Sequence, residues 1–337
     1  MAVKKDKGHL LGLIMLSMTA VFWGAGFVLN DQLLGSAFHD APNLINAVRF
    51  GVSAIVLALI FCKKLKFDKK TVLLALAGGA MLFAGFTLQI YGLRSSTPSH
   101  NGFFTAAYIV FVPFIAWILL KKRPTWIMFA GVAVALAGLA ILNFFNAEND
   151  KPTLAGDLLT LTGALMFAAQ IVWTDFSLKK GADTVNMTVW QCVFAAVLFI
   201  LYTVIFESNN YSAISFDASY CVWRLIVTTL GGTAFAYFSQ TYAQNRLNAT
   251  ETSLILACES PIGALLSVAC GIEAFRWNTL VGGLLVIAAV IMMEIVPEIT
   301  AKRKQKEPPD ESEGEKPDET DDGERSSDGE AADEPEK

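Results

Sequence analysis

Glu259 stands in the middle of an apolar run from Thr250 to Gly271, and a carboxylate there has few ordinary reasons to exist. It lies about ten residues, or ~15 Å of helix, into that run. An ionised group at that depth in hydrocarbon costs at least ~2.5–3.5 kcal/mol, which makes it a functional candidate by default. Two chemistries fit: exchange of a proton, or binding of a cationic amine. The alternative is a structural acid, kept protonated or paired with a neighbouring helix. Pro261 follows two residues later, and its missing N–H is expected to free a backbone carbonyl beside the carboxyl. Arg49 lies about six residues, or ~9 Å, into a second apolar run. Its side chain can snorkel to headgroups, pair with a carboxylate or bind an anionic ligand; a structural role is the expectation. Arg224 and Glu294 sit nearer the ends of their runs, where snorkelling accounts for them.

Other chemistries lack their residues. No G-x-x-x-x-G-K-[ST] occurs, so the chain has no P-loop for ATP hydrolysis. Neither H-E-x-x-H nor G-x-S-x-G is present. His9, His39 and His100 fall near run ends or in loops. The cysteines, Cys62, Cys192, Cys221, Cys258 and Cys270, are scattered and odd in number, suggesting neither a disulfide framework nor a zinc site. Arginines are not spaced as in a voltage sensor. No metal, cofactor or nucleic-acid partner is expected.

The elements that position Glu259 and Arg49 are long apolar helices. The chain is 54% hydrophobic and 17% charged, with a mean hydropathy of +0.47, against about a quarter charged in a soluble domain. About 20 apolar residues span a hydrocarbon core. Ten segments meet that length: Leu10–Asn30, Asn43–Cys62, Thr71–Gly92, Ser99–Leu120, Thr125–Phe145, Asp157–Leu178, Met187–Glu207, Cys221–Ala243, Thr250–Gly271 and Trp277–Val296. The first is too long for the h-region of a signal peptide, ~7–15 residues. An all-α polytopic membrane protein of ten transmembrane helices is therefore expected.

Charge sets its orientation. With the N-terminus cytoplasmic, 18 Lys and Arg fall in inside segments, from Lys4 to Lys306, and only Arg94, Lys151 and Arg276 fall outside. Both termini are expected inside, in the cell (inner or plasma) membrane. From Glu307 to Lys337 there are 15 Asp and Glu against three basic residues, so the acidic pI belongs to the tail. That tail, 298–337, reads as disordered and cytoplasmic, with Lys302–Lys306 beside anionic lipid headgroups.

The two halves resemble each other. Gly12 and Ala20 match Gly156 and Ala164; Gly78-Gly79 match Gly231-Gly232; Pro113 matches Pro261; Gly131 matches Gly282. The glycine pairs are read as sites of close helix approach and as hinges, the prolines as kinks. The expected organisation is a cytoplasmic N-terminus (1–9), a first repeat (10–145), an outside linker (146–156), a second repeat (157–297) and the tail. Five helices cross an odd number of times, so the second copy enters from the opposite side. An inverted repeat of this kind gives two states of similar energy, open to either side, and so argues for alternating access.

Ala20 to Gly26 (AVFWGAG), Arg49-Phe50, Asn101 to Pro113 (NGFFTAAYIVFVP) and Glu259-Ser260-Pro261 resemble the drug/metabolite transporter superfamily, in particular its EamA-type ten-helix exporters. The likeness covers about Leu10 to Val296. It departs after the fourth and ninth helices, where members often carry a Gly-Glu pair; here the chain reads Lys121-Lys122-Arg123-Pro124 and Gly271-Ile272-Glu273. The resemblance implies a central cavity lined by helices 1, 3, 4, 6, 8 and 9, with 5 and 10 peripheral. On those helices Trp23, Thr105, Tyr108, Gln170, Trp173, Tyr237 and Gln240 join Glu259 and Arg49 as candidates to bind substrate, suiting a mainly apolar ligand with a polar handle. The function it implies is export of a small metabolite, amino acid or drug by a secondary transporter, with protons as a candidate coupling ion. The rival readings are an intramembrane enzyme and a channel or sensor, neither of which needs two matched inverted halves.

Overall fold

A computed structural model describes residues 7–121, 126–144, 153–275, 277, 278, 280–289 and 292. The expected tail, its Lys302–Lys306 cluster and most of the 146–156 linker lie outside these residues. The described residues are mostly helical, with no strand among them.

Among the described residues eight helices are long and apolar enough to cross a membrane: α1 (Lys7–Phe38), α2 (Pro42–Ile60), α3 (Lys69–Arg94), α4 (Pro98–Leu120), α6 (Leu154–Lys179), α7 (Thr184–Ser212), α8 (Ala218–Gln244) and α9 (Ala249–Ala269). Between them lies α5 (Trp126–Phe144), and α10 is described over Leu280–Ala289. The eight fall in order on eight of the ten expected segments, and on the fifth and tenth lie only shorter apolar helices, Trp126–Gly138 and Leu280–Ala289. Helix α6 begins three residues before the expected start, because Thr153 caps it by accepting from the Gly156 N–H at 3.1 Å.

Short polar caps start most of these helices. Asp68 accepts from Thr71, whose hydroxyl and N–H hold the carboxyl below the usual carboxylate range. Asp183, Asp217 and Asn248 serve α7, α8 and α9 in the same way. Asn248 forms a full capping box with Glu251.

Large apolar side chains face outward. Ile55, Leu59, Leu73, Ile118, Ile205 and Phe206 are exposed, while Asn46, Gln191, Gln240, Thr233 and Ser239 are fully buried. This inverts the soluble pattern, in which the polar groups lie outside. It fits a bundle whose solvent is hydrocarbon and whose polar groups must be satisfied internally. Trp126 and Trp277 are exposed at the starts of α5 and α10, as in an interfacial aromatic belt. The chain is a multi-pass membrane protein.

Packing between the halves follows a pattern. Helix α3 packs on α6, and α8 on α1; α3 packs on α7, and α8 on α2; α4 packs on α6, and α9 on α1. Helices α2 and α7 pack on each other, as do α4 and α9. Each contact thus recurs when every helix is replaced by the one in the same place in the other half. Helices α5 and α10 meet at one side, where a Cβ on Gly138 would lie 2.7 Å from the Gly282 carbonyl. Only glycine allows that approach.

Candidate functional site

Both α4 and α9 are broken near their middles. One half of α4 ends at Ala106 and the next begins at Tyr108. One half of α9 ends at Leu256 and the next begins at Glu259. In α9 the cause is local: Pro261 cannot donate to Ala257, and the Ser260 N–H takes that carbonyl at 3.2 Å in a tightened turn. The carbonyl expected to be free is therefore occupied. Pro113 lies within the second half of α4.

The breaks place Tyr108 and Glu259 against one space between the halves. Helix α1 closes on α9 there, since a Cβ on Gly24 would lie 2.8 Å from the Glu259 carbonyl oxygen. The Tyr108 hydroxyl and Glu259 Oε1 are both buried there without a hydrogen-bond partner among the described residues.

A small cavity of about 30 Å³ lies in this space. Six of the expected residues line it: Trp23, Thr105, Tyr108, Gln170, Tyr237 and Glu259. Phe86, Gln89, Phe167 and Ile171 complete the wall. Gln89 donates to the Thr105 hydroxyl at 2.9 Å, and Trp23 lies 5.6 Å from Tyr237, ring centre to ring centre. An adjoining cavity of similar size shares Trp23, Phe86, Gln89 and Glu259 and adds Asn30, Thr228 and Arg49.

Arg49 is inside the bundle and does not snorkel. It is 3% exposed, donates from Nε to the Thr233 hydroxyl at 3.2 Å and from Nη1 to Asn46 Oδ1 at 3.4 Å, and stands 5.1 Å above the Phe86 ring. Helix α8 is widened beside it into a π-helix over Val227–Phe235. Neighbours capture carbonyls of that segment: the Trp23 indole N–H donates to Gly232 O at 2.8 Å, and the Ser53 hydroxyl to Thr229 O at 2.9 Å. Such segments often mark functional sites.

Two expected residues are not on the cavity wall. The Trp173 indole N–H donates to Leu74 O at 2.8 Å. Gln240 is buried in a ladder of amides, donating to Gln170 Oε1 at 3.0 Å and to Gln244 Oε1 at 3.4 Å. That ladder separates the central cavity from an open mouth of about 480 Å³, lined among others by Asp175, Lys179, Gln244 and Arg246. The glycine pairs differ from each other. Gly78 and Gly79 lie in regular α-helix, with Gly79 pressed on the α7 backbone at Gln191. Gly231 and Gly232 lie in the widened part of α8.

Sequence reasoning missed Gln89, Asn30 and Thr228, whose signal was a polar side chain within an apolar run. It also missed Asp175, which is 1% exposed and bonded to Lys179. Among the described residues no cluster of His, Cys, Asp or Glu is arranged to hold a metal ion.

The model of the EamA-like transporter family matches the chain twice, over residues 10–144 and 154–295. Among curated proteins, the chain is 27% identical over 288 residues to an uncharacterized transporter of Archaeoglobus fulgidus, covering 83% of this chain and 84% of that one. It is 22% identical over 289 residues to the uncharacterized transporter YoaV of Bacillus subtilis, covering 84% and 95%. One solved crystal structure of a protein superposes with a TM-score of 0.68 at 14% identity, covering 88% of this chain and 99% of that one, a likeness of fold. With two matches that together span most of its length, the chain belongs to the EamA-like transporter family.

Proposed function

We propose that the protein is a secondary transporter that exports a small organic molecule by alternating access between two inverted five-helix halves. The observation that carries this is a buried carboxyl, Glu259, 2% exposed and without an ion-pair partner among the described residues, on a cavity at the junction of the halves. A carboxyl in that place can bind a proton or a cationic group, and its two occupants can be made to alternate. The recurrence of helix contacts under exchange of the halves supports an inverted repeat, the architecture that offers two exchangeable states. The excess of Lys and Arg in alternate loops supports cytoplasmic termini. The transporter names of the relatives support transport, and the resemblance to exporters is what favours the outward direction.

The test is efflux and uptake of labelled metabolites by proteoliposomes holding the full chain, with and without a pH gradient, for the unaltered protein and Glu259→Gln. The expected result is substrate movement that responds to the gradient, with Glu259→Gln still exchanging substrate but no longer responding. Unchanged pH dependence in the variant would return Glu259 to a structural role. Absence of movement of any metabolite, with single-channel currents in its place, would replace the transporter with a channel.

A further inference from the structure

The end of the bundle where α3, α7 and α9 begin carries basic charge that its own acids leave unmatched. Lys63, Lys64, Lys66, Lys69, Lys70 and Lys180 are all exposed there, around the α2–α3 and α6–α7 connections. The two connections are tied together: the Lys66 N–H donates to Asn186, and the Lys70 ammonium to the Lys180 carbonyl. The acids of this end are engaged. Asp68 and Asp183 cap helices, Glu251 closes the capping box of α9, and Asp175 holds Lys179. Among the described residues that last contact is the only ion pair at this end. The basic charge continues into the open mouth of about 480 Å³, where Lys179 and Arg246 stand on the wall. Arg246 also meets the start of α1, since a Cβ on Gly8 would lie 2.7 Å from its Nε.

The chain carries a segment of opposite charge, and α10 leads to this end. Glu307 to Lys337 holds 15 Asp and Glu against three basic residues. Helix α10 starts beside the end of α5, where Asn278 donates to Ile141 O at 3.3 Å, and passes Pro261 of α9 at Gly283. It therefore runs antiparallel to α9, towards the basic end. The 31 residues from Glu307 to Lys337 reach ~110 Å if extended and ~45 Å even if helical. Either length covers several helix diameters of ~10 Å. We infer that the acidic tract 307–337 docks on the basic end and covers the mouth. Opposite charge steers it there, and its attachment to α10 makes the encounter intramolecular. Lipid headgroups share the negative charge, but the mouth is walled by α6 and the α8–α9 connection and backs onto the amide ladder. A chain segment can enter it, and a bilayer surface cannot. The contact is one of charge, so it weakens as the screening length falls from ~30 Å at 0.01 M salt to ~3 Å at 1 M. This goes beyond the transporter reading and is tested apart from it, by chemistry at the mouth and not by movement of a solute.

The full chain, in nanodiscs of uncharged (zwitterionic) lipid, is treated with a carbodiimide, which joins a carboxyl to an amine in contact with it. Isotopically labelled and unlabelled chains are mixed, and the linked peptides are mapped by mass spectrometry. At ~0.01 M salt the expected links join carboxyls of the tract to the exposed lysines of the same chain, and at ~1 M salt they are lost. Cover of the mouth is read separately with Asn245→Cys, on its wall, in a chain with the native cysteines removed. At low salt this thiol is expected to react with an uncharged maleimide on the order of tenfold more slowly than in the same chain with the 15 acids of the tract replaced by Asn and Gln. At ~1 M salt the two are expected to react alike. Lys63→Gln, Lys64→Gln and Lys69→Gln together are expected to remove most of the difference with the tract intact. The linking uses the unaltered chain, so it decides even if the cysteine-free chain does not fold. No links within a chain, links that persist at high salt, or equal reactivity with and without the acids overturns the inference. Links only between labelled and unlabelled chains give the tract to a second copy and overturn it too. So does protection of the thiol that arises only on adding anionic lipid, which would give the basic face to headgroups.

Discussion

The two ends of the bundle are closed by different means. At the end where α2, α4, α6 and α8 begin, carboxylates from one half reach across to the other. Glu207 accepts from the Asn43 N–H at 3.1 Å and from the Tyr91 hydroxyl at 3.0 Å. Glu273 accepts from the Ser99 N–H at 3.2 Å and from its hydroxyl. Asp157 meets Ser96 at 3.2 Å, while Asp40 and Arg94, 3.3 Å apart, pair within the first half. Glu207 and Glu273 each accept from the N-terminus of a helix in the opposite half, Glu273 beside the local Thr97 cap of α4, where the helix dipole favours a negative charge. Local caps occur at both ends, Thr153 and Asp217 at this one and the Asn248–Glu251 box at the basic end, but among the described residues only here do carboxylates of one half also accept from helix N-termini of the other. At the basic end the α2–α3 loop is tied across, through Lys66 to Asn186 and Lys70 to Lys180, and the mouth beside Lys179 and Arg246 stays open. The difference teaches that a helix N-terminus capped in trans joins two halves, while one capped in cis leaves them free to part.

Removing Glu207 should have the largest effect. Glu207→Ala strands the Asn43 N–H and the Tyr91 hydroxyl in a buried place and is expected to destabilise by about 2–3 kcal/mol, read as a lower melting temperature in detergent. Glu207→Gln should recover much of this, because an amide oxygen still accepts. Glu273→Ala comes next. Loss of a half-buried, charge-assisted contact is worth about 1–2 kcal/mol, here expressed as easier parting of α4 and α9. A cysteine placed by Gln89→Cys, with the native cysteines removed, should then react roughly tenfold faster with a charged thiol reagent added from the acidic end. Unaltered reactivity would mean that Glu273 is not a clasp. Asn248→Ala should cost about 1 kcal/mol as a lost cap without altering that reactivity, since it joins nothing across the halves. Smallest is the pH response of the Asp68 cap. Its carboxyl is held below its ordinary range by Thr71, so its contribution is present above that range and is lost as pH falls through the lowered value. Asp68→Asn should flatten this part of the melting-temperature profile.

Much of the fold was legible because hydrophobic length is a coarse property. A window of apolar residues finds α1 to α4 and α6 to α9 whatever their neighbours do. The positions of the breaks were less legible. Pro261 announced one, but the tightened turn that places Glu259 depends on the Ser260 N–H reaching Ala257, which no spacing reveals. Arg49 shows the limit in another way. Depth along a helix left snorkelling, ion pairing and anion binding all open, whereas the azimuth of the side chain turns it inward to Thr233 and Asn46, and azimuth is set by the partner helix. Glu273 was noticed only as a departure from the expected Gly-Glu spacing; its contact is with Ser99, 174 positions away.

The widened segment of α8 also sets a rotational phase. Each residue of an α-helix turns the chain by about 100°, and a π segment holds one residue more than an α segment of the same number of turns. Tyr237, Gln240 and Gln244 all lie beyond Val227–Phe235, so their facing is measured from that slip. A deletion of one residue there would leave the composition of the helix almost untouched and swing Tyr237 off the cavity wall. The register of the aromatic and amide groups is thus stored in the local count of residues and is read out by the Trp23 and Ser53 donors that hold the turn wide.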